Sequence, residues 1–373
     1  MKYIFLQNIV APYRISLFNR LSDSGLDFEV LYMHESEYGR SWKIDYNNIH
    51  YKYAVDNGLY MHFHGLHLHW NWHIIRYIIR NRCTIVLAGS CNDLNVIFLC
   101  ILKRLGFLRH HNFMFWTEAN YLTNGARKKN RVKETLRRFV LNTKSLAFII
   151  PGKMSVLSLQ KWHVKASNYC FLPNVIEEEK FPSGIIQRSV FLNKLPEFVM
   201  SVRLEEKRKG ILNFFEAIGE DNVRKAVFHI LGDGDDKELI QDFISSKGYH
   251  NNIILHGFCD MHRVVDFYLK ADAFILPSFS DQSPLALVEA CCCQLPLLVS
   301  ERCGNHFETL TEAVNGYSFN PDDKSEVRFQ FEKFMERRAD WHEMGLYSRR
   351  MYDENFKQEV VIKKFLVSLS HLE

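Results

Sequence analysis

No run in this chain approaches the roughly 20 consecutive apolar residues that cross a bilayer, so the sequence offers no transmembrane helix. The opening stretch MKYIFLQNIVAPYR is apolar only briefly; Gln7 and Asn8 interrupt it, Pro12 follows, and a secretory leader needs a longer run and a small-residue cleavage site. The expectation is a cytoplasmic protein, at most peripheral on the inner face of a membrane. Paired cysteines are also lacking. The nine cysteines are odd in number and form no C-x2-C repeats, which argues against both a disulfide framework and structural zinc. Cys291, Cys292 and Cys293 are consecutive in a predicted helix, where side chains diverge by about 100° per residue and cannot jointly hold one metal. A large excess of charge is missing too: +4 over 373 residues gives no reason to expect nucleic acid as a partner. After the first strand comes NIVAPYR rather than G-x-G-x-x-G, which disfavours a dinucleotide dehydrogenase. There is no internal repeat and no low-complexity tract.

What is present is a 47% hydrophobic chain long enough for two ordinary domains. Short β-rich apolar runs alternate with longer helical patterns, as in parallel sheets flanked by helices, so the predicted fold class is α/β. Strands are expected at residues 3–9, 28–33, 84–88, 112–116 and 146–150, and again at 198–202, 227–231, 252–256, 273–276 and 296–299. Between the two series, residues 173–198 carry three prolines and a glutamate triplet with weak periodicity, which reads as a linker. The expected organisation is a first domain over 1–175, a linker over 176–197, a second domain over 198–345, and a C-terminal helix over 346–373 returning to the first domain. In doubly wound sheets ligands bind beyond the carboxyl ends of the strands.

One segment concentrates the chemistry. Residues 271–300, ADAFILPSFSDQSPLALVEACCCQLPLLVS, read as strand, polar turn, helix opening near Pro284, and strand. Proline suits a first helical turn, and the free N–H groups there favour an anion. Asp281 precedes this helix and Glu289 lies on its second turn, so two carboxylates are available to the vicinal hydroxyls that sugars offer. An acid complementing a helix dipole, beside a surface glutamate, would look the same.

The motif PSFSDQSPLALVEACCCQLP nevertheless resembles that of the retaining glycosyltransferases of family 4, which carry an E-x7-E pattern in their second domain; here the pattern is D-x7-E. Pro277, Ser278, Pro284, Leu285, Glu289, Ala290 and Pro296 match, while Asp281 stands for the first glutamate and Gln294 for the glycine after the helix. The resemblance implies the GT-B architecture, two facing Rossmann-like doubly wound domains with a cleft between them. It implies that Glu289 holds ribose hydroxyls, that Asp281 approaches the donor sugar, and that Ser283, Pro284 and Leu285 line the diphosphate and hexose.

A second segment, FVMSVRLEEKRKGILNFFEAI, resembles the family's G-R-L-x-x-x-K-G pattern with one residue inserted. By that resemblance Arg203 and Lys209 clamp the diphosphate, with Arg208 as a neighbouring candidate; two cations there offset the charge that develops as the glycosidic bond breaks. Gly232, and Gly257 with Phe258, sit in loops that border the base in the family. Glu308, Asn315 and Gly316 fit a further family loop with a structural role. In the first domain Pro12, Tyr13 and Arg14 resemble the family's opening, where Arg14 either meets an acceptor phosphate or caps its helix. Glu118 stands where many relatives carry a histidine, beside Trp116 and Tyr121. By that resemblance Arg14, Glu118 and Tyr13 make up the acceptor side; Trp116 and Tyr121 could stack on a sugar face, with a core role the better reading of Trp116.

Two other stretches are conspicuous. Residues 125–144 hold eight basic residues against Glu134, with Val132, Leu136 and Val140 on one helical face predicted to pack inward. This helix, 127–144, suits either peripheral contact with an anionic membrane or plain solvation. His62, His64, His67, His69 and His73 crowd one short span without the carboxylates a metal site needs, so acceptor-facing polar residues are the better reading. The activity implied is retaining transfer of a hexose from a nucleotide-diphosphate sugar, UDP-sugar favoured, to a saccharide or lipid-linked oligosaccharide acceptor in cell-surface polysaccharide biosynthesis. No metal and no other cofactor is expected. The competing readings are a sugar-nucleotide epimerase of the same architecture and a non-catalytic sugar-nucleotide-binding partner.

Overall fold

The computed structural model describes residues 2–39, 44–63, 66–123, 131–186 and 194–372. The chain divides into two compact units: Met1–Tyr121, Gly125–Val175 and Val361–Glu373 form the first, and Leu122–Asn124 with Ile176–Val360 the second. Among the described residues no helix is long and apolar enough to cross a membrane.

The first unit is built on nine strands: β1 (Tyr3–Gln7), β2 (Phe28–Tyr32), β3 (Tyr53–Val55), β4 (Leu59–Phe63), β5 (Leu66–Trp70), β6 (Thr84–Leu87), β7 (Asn112–Trp116), β8 (Ala147–Ile150) and β9 (Tyr169–Phe171). Seven of them form one parallel sheet in the order β3-β2-β1-β6-β7-β8-β9, while β4 and β5 pair as an antiparallel hairpin. The central strands are buried along their whole length because helices cover both faces. On one face Phe5, Met114, Trp116 and Ile149 pack with the helix Pro12–Asp23 and with Val361, Phe365 and Leu369 of the C-terminal helix. On the other, Ile4, Leu6, Phe113 and Phe148 pack with the helices Trp72–Arg80, Leu94–Arg104, Arg131–Leu141 and Lys153–Lys161.

The second unit holds β10 (Glu197–Ser201), β11 (Val227–Leu231), β12 (Ile253–Leu255), β13 (Ala273–Leu276), β14 (Leu297–Ser300) and β15 (Gly316–Phe319), all parallel in the order β12-β11-β10-β13-β14-β15. The order turns between β10 and β13, so the carboxyl ends of these two neighbours are the place where a doubly wound sheet receives its ligand. Its core, from Phe198 and Phe228 through Leu298 to Trp341, is continuous.

One expectation needs correction. Val132 does not pack inward: it is 76% exposed, and of the three apolar residues assigned to that stripe only Val140 is buried, with Leu136 partly buried against the core, because among the described residues the face carrying Val132 has nothing packed over it. Residues 127–130 lie outside the described residues. The helix expected near Pro284 opens at Leu285, with Pro284 as the extended N-cap residue before it.

Candidate active site

The carboxyl end of β10 runs into a short turn of helix, Glu206–Lys209, closed by Gly210 in the left-handed region at φ 62. Glycine is required there for two reasons. The conformation is costly for any residue with a Cβ, and a Cβ would lie 2.8 Å from the Phe279 ring. Next door, β13 exits through residues 277–281, and the Ser280 N–H donates to the Arg208 carbonyl at 3.0 Å. The two strand-to-helix turns are therefore stitched together. The outcome is a direct pair: Lys209 Nζ donates to Asp281 Oδ2 at 2.5 Å, with both side chains about 85% buried. Seventy-two positions separate the two residues in the chain.

The opposite end of the Asp281 turn is also held. Gly304 N–H donates to the Asp281 carbonyl at 2.9 Å, and Asn305 Nδ2 to the Pro284 carbonyl at 3.0 Å. Cys303, Gly304 and Asn305, in the loop after β14, thus shape the turn bearing Ser283, Pro284 and Leu285. They carry no signal in the sequence beyond a small residue and an amide. Arg203 leaves the same strand end as Lys209 but is half exposed and reaches Asp235 at 3.8 Å, while Arg208 pairs with Glu205 at 3.5 Å. Glu206, which the motif did not single out, accepts the Leu212 and Asn213 N–H groups at 2.9 and 3.1 Å and anchors the helix that follows. Burial raises its carboxyl above the ordinary value, against those hydrogen bonds.

Glu289 sits one turn inside the helix Leu285–Cys292 and is only 7% exposed. Burial lifts its carboxyl to about 7, opposed by the Tyr268 hydroxyl, which donates to Oε2 at 3.0 Å. Tyr268 is itself fully buried, and burial drives its hydroxyl well above the usual range. One carboxylate oxygen is thus fixed by the Tyr268 hydroxyl.

Gly232 follows β11 where the chain passes the end of β10. A Cβ there would lie 1.8 Å from the Val202 carbonyl, so the glycine permits backbone contact between the two strand exits. Its N–H donates to the Gly257 carbonyl at 2.8 Å, which joins the β11 and β12 exits, and Phe258 beside it presents its ring to solvent. Asn315 and Gly316 are structural: the Asn315 amide donates to Thr309 and Ser348 and accepts from Thr311.

In the first unit Arg14 does not cap its helix. Its guanidinium lies 3.7 Å from the Trp116 ring centroid and donates through Nη2 to Glu118 Oε1 at 3.0 Å. Asn174 donates to the same oxygen at 2.9 Å. Arg14 Nη1 is buried with no hydrogen-bond partner, a donor that a ligand oxygen would satisfy. Tyr13 lies 5.7 Å from the guanidinium. The histidine-rich span is the β4–β5 hairpin. Cross-strand pairing puts Tyr60 and His62 opposite His69 and His67 on one face, with Tyr38 stacked on His62 at 4.5 Å. His69 is buried against Asp93 at 3.0 Å, His73 belongs to the next helix, and His64 lies outside the described residues.

Residues 184–351 match the family model described as "Glycosyl transferases group 1". That match falls within the second unit, and the fold class of the chain is GT-B, two Rossmann-like α/β units. The chain covers all of the solved Anabaena HepE structure in complex with UDP, with a TM-score of 0.74 at 12% identity, a likeness of fold. It is 22% identical over 214 residues to the alpha-galactosylglucosyldiacylglycerol synthase of Streptococcus pneumoniae, covering 51% of this chain and 57% of that one. To the N,N'-diacetylbacillosaminyl-diphospho-undecaprenol alpha-1,3-N-acetylgalactosaminyltransferase of Campylobacter jejuni it is 24% identical over 217 residues, or 58% and 48% of the two chains. The chain spans between a third and just over half of the length of the curated relatives first matched.

Proposed function

We propose that the protein is a glycosyltransferase that moves a hexose from a UDP-sugar, with retention of configuration, to a saccharide or lipid-linked acceptor in the making of a cell-surface glycan. The observation that carries the reading is the Lys209–Asp281 pair at the junction of the β10 and β13 exits, with the buried Glu289 carboxylate on the helix that follows. That arrangement offers a cation for the diphosphate, an acid for the donor sugar and a carboxylate for a ribose diol.

In this mechanism no side chain forms a covalent intermediate. The leaving diphosphate takes the proton of the acceptor hydroxyl on the face it departs from. Lys209 and Arg203 stabilise the charge that builds on it, and Glu289 holds the ribose. Ser283, Pro284 and Leu285 line the phosphates and the hexose, while Gly232, Gly257 and Phe258 border the base, with Arg208 as a further anion contact. On the acceptor side stand Arg14, Glu118 and Tyr13. Transfer proceeds without metal, so activity retained in EDTA is the expected result. The lipid-acting relatives support the acceptor class, and HepE with bound UDP supports the nucleotide.

Removing a preorganised cation at a developing negative charge costs on the order of a hundredfold in turnover. Arg203→Ala and Lys209→Ala are each expected to show that loss in a UDP-sugar assay; near-wild-type turnover in both variants would sink the proposal. Omitting the acceptor separates transfer from epimerisation, since an epimerase consumes donor without it.

A further inference from the structure

Charge is distributed very unevenly along this chain. Residues 57–176 contain 17 Lys and Arg against 3 Asp and Glu, while the remainder has 30 against 40. Two of those three acids are consumed inside the first unit: Asp93 is fully buried against His69, and Glu118 binds Arg14 and Asn174. The basic excess falls on the part of the unit whose helices Trp72–Arg80, Leu94–Arg104 and Arg131–Leu141 cover a single face of the seven-stranded sheet. The first two helices contain no acidic residue, and the third contains only Glu134.

The same helix layer displays large apolar side chains outward. Trp72 and Ile79 on the first helix and Ile101 on the second are exposed, and beyond the second helix Leu105 and Phe107 are 66% and 73% exposed. Nothing about that last turn is loose. Lys103 Nζ donates to the Leu108 and His111 carbonyls at 3.2 and 2.5 Å, the Phe107 N–H donates to the Leu102 carbonyl, and Leu108 is wholly buried. The turn is anchored by one leucine and one lysine while its other two apolar side chains are held in solvent. Exposed apolar and aromatic residues among many cations, with Glu134 as the one acid on the three helices, fit a surface that is apolar below and anionic at its headgroups.

We propose that the outer face of this helix layer is a docking surface for a bilayer containing anionic lipid, with Leu105 and Phe107 entering the headgroup region and Arg76, Arg80 and Arg138 contacting lipid phosphates. The surface extends well past the single basic helix that the sequence marked out. What it accomplishes, bringing the enzyme to a lipid-linked acceptor, rests on the transferase reading; the binding itself does not.

The test is co-sedimentation of the full chain with phosphatidylcholine vesicles, with or without a third of phosphatidylglycerol. The chain is expected to bind the anionic vesicles at least about tenfold more tightly than the neutral ones and to be released by 0.5 M salt, because contacts of this kind are screened. Leu105→Ser/Phe107→Ser should weaken binding by about tenfold and Arg76→Glu/Arg80→Glu/Arg138→Glu should abolish it, with an unchanged melting temperature and unchanged UDP binding as the check on folding. Equal binding to both vesicles, no binding, or wild-type binding by both variants overturns the proposal. So does loss in the same variants of a self-associated form or of a nucleic-acid complex in place of vesicle binding. Vesicle binding without any UDP binding would leave this surface standing and remove the transferase reading, and the reverse pattern would do the opposite.

Discussion

Lys209 and Asp281 are each ordinary residues whose weight comes from their contact. Each side chain is mostly withdrawn from water, so deleting one partner strands the other's charge. Lys209→Ala should therefore destabilise by about 1–3 kcal/mol, and adding Asp281→Ala should recover part of that loss. Denaturant titration of the single and double variants checks it; strictly additive losses would count against the pairing. Glu289 makes a prediction in pH. Its carboxyl is held near 7, above its ordinary value of 4.5, and only the ionised form accepts two hydrogen bonds from a diol. UDP affinity is expected to fall as pH drops from 8 to 6, with a proton released on binding at pH 7. Stability runs the other way. A carboxyl raised in the folded state binds its proton more tightly there than when unfolded, so the penalty is full above pH 7 and disappears as pH falls toward 4.5. Glu289→Gln should thus stabilise the fold by on the order of 1–3 kcal/mol at pH 8 and scarcely at pH 4.5, while flattening the pH dependence of UDP binding. Pressed melting curves at the two pH values decide this.

At the level of elements, the exit of the helix Leu285–Cys292 departs from the motif that the sequence resembles. Gln294 occupies the glycine position with φ 58, a left-handed conformation that disfavours a side chain. The compensation is specific: its Nε2 donates to the Gly184 carbonyl at 2.9 Å and its Oε1 accepts the Ile186 N–H at 3.0 Å. Gln294→Gly relieves the backbone but loses both bonds, and Gln294→Ala loses the bonds while keeping the strain. The expected order of stability is Gln, then Gly, then Ala, with Ala about 2–3 kcal/mol below wild type by thermal melting. Alanine melting above glycine would contradict this reading. Such compensation is invisible in sequence, because the bonds run to a segment more than a hundred positions away. The same distance effect governs what else was legible. The buried strands β1, β7 and β13 stood out as apolar runs, since parallel strands are covered on both faces. β3 and β9 are three-residue edge strands, too short for a pattern, and the β4–β5 hairpin is polar along one face. Val132 was misassigned because a helical period describes a face without saying whether anything covers it.

Across the whole molecule, the motifs of the second unit were the more legible because each follows a strand exit, where backbone geometry fixes side-chain position within a few residues. The first unit gave less. Arg14 and Glu118 lie 104 positions apart, and only the fold brings them into one ion pair over Trp116. That pair leaves a donor unsatisfied at Arg14 Nη1, and Glu118→Gln is expected to reduce acceptor-dependent turnover by about tenfold or more while leaving UDP affinity unchanged. Steady-state kinetics at varied acceptor, alongside UDP titration, check the split; an equal loss in UDP binding would place Glu118 elsewhere in the reaction. The central claim, however, concerns the second unit: Lys209, Asp281 and Glu289 form a site for a nucleoside diphosphate that leaves with its charge offset by Lys209. The direct measurement is release of UDP from a UDP-sugar under single-turnover conditions, with wild type and Lys209→Ala both saturated with donor. A rate about a hundredfold lower in the variant is predicted, and equal rates would contradict it.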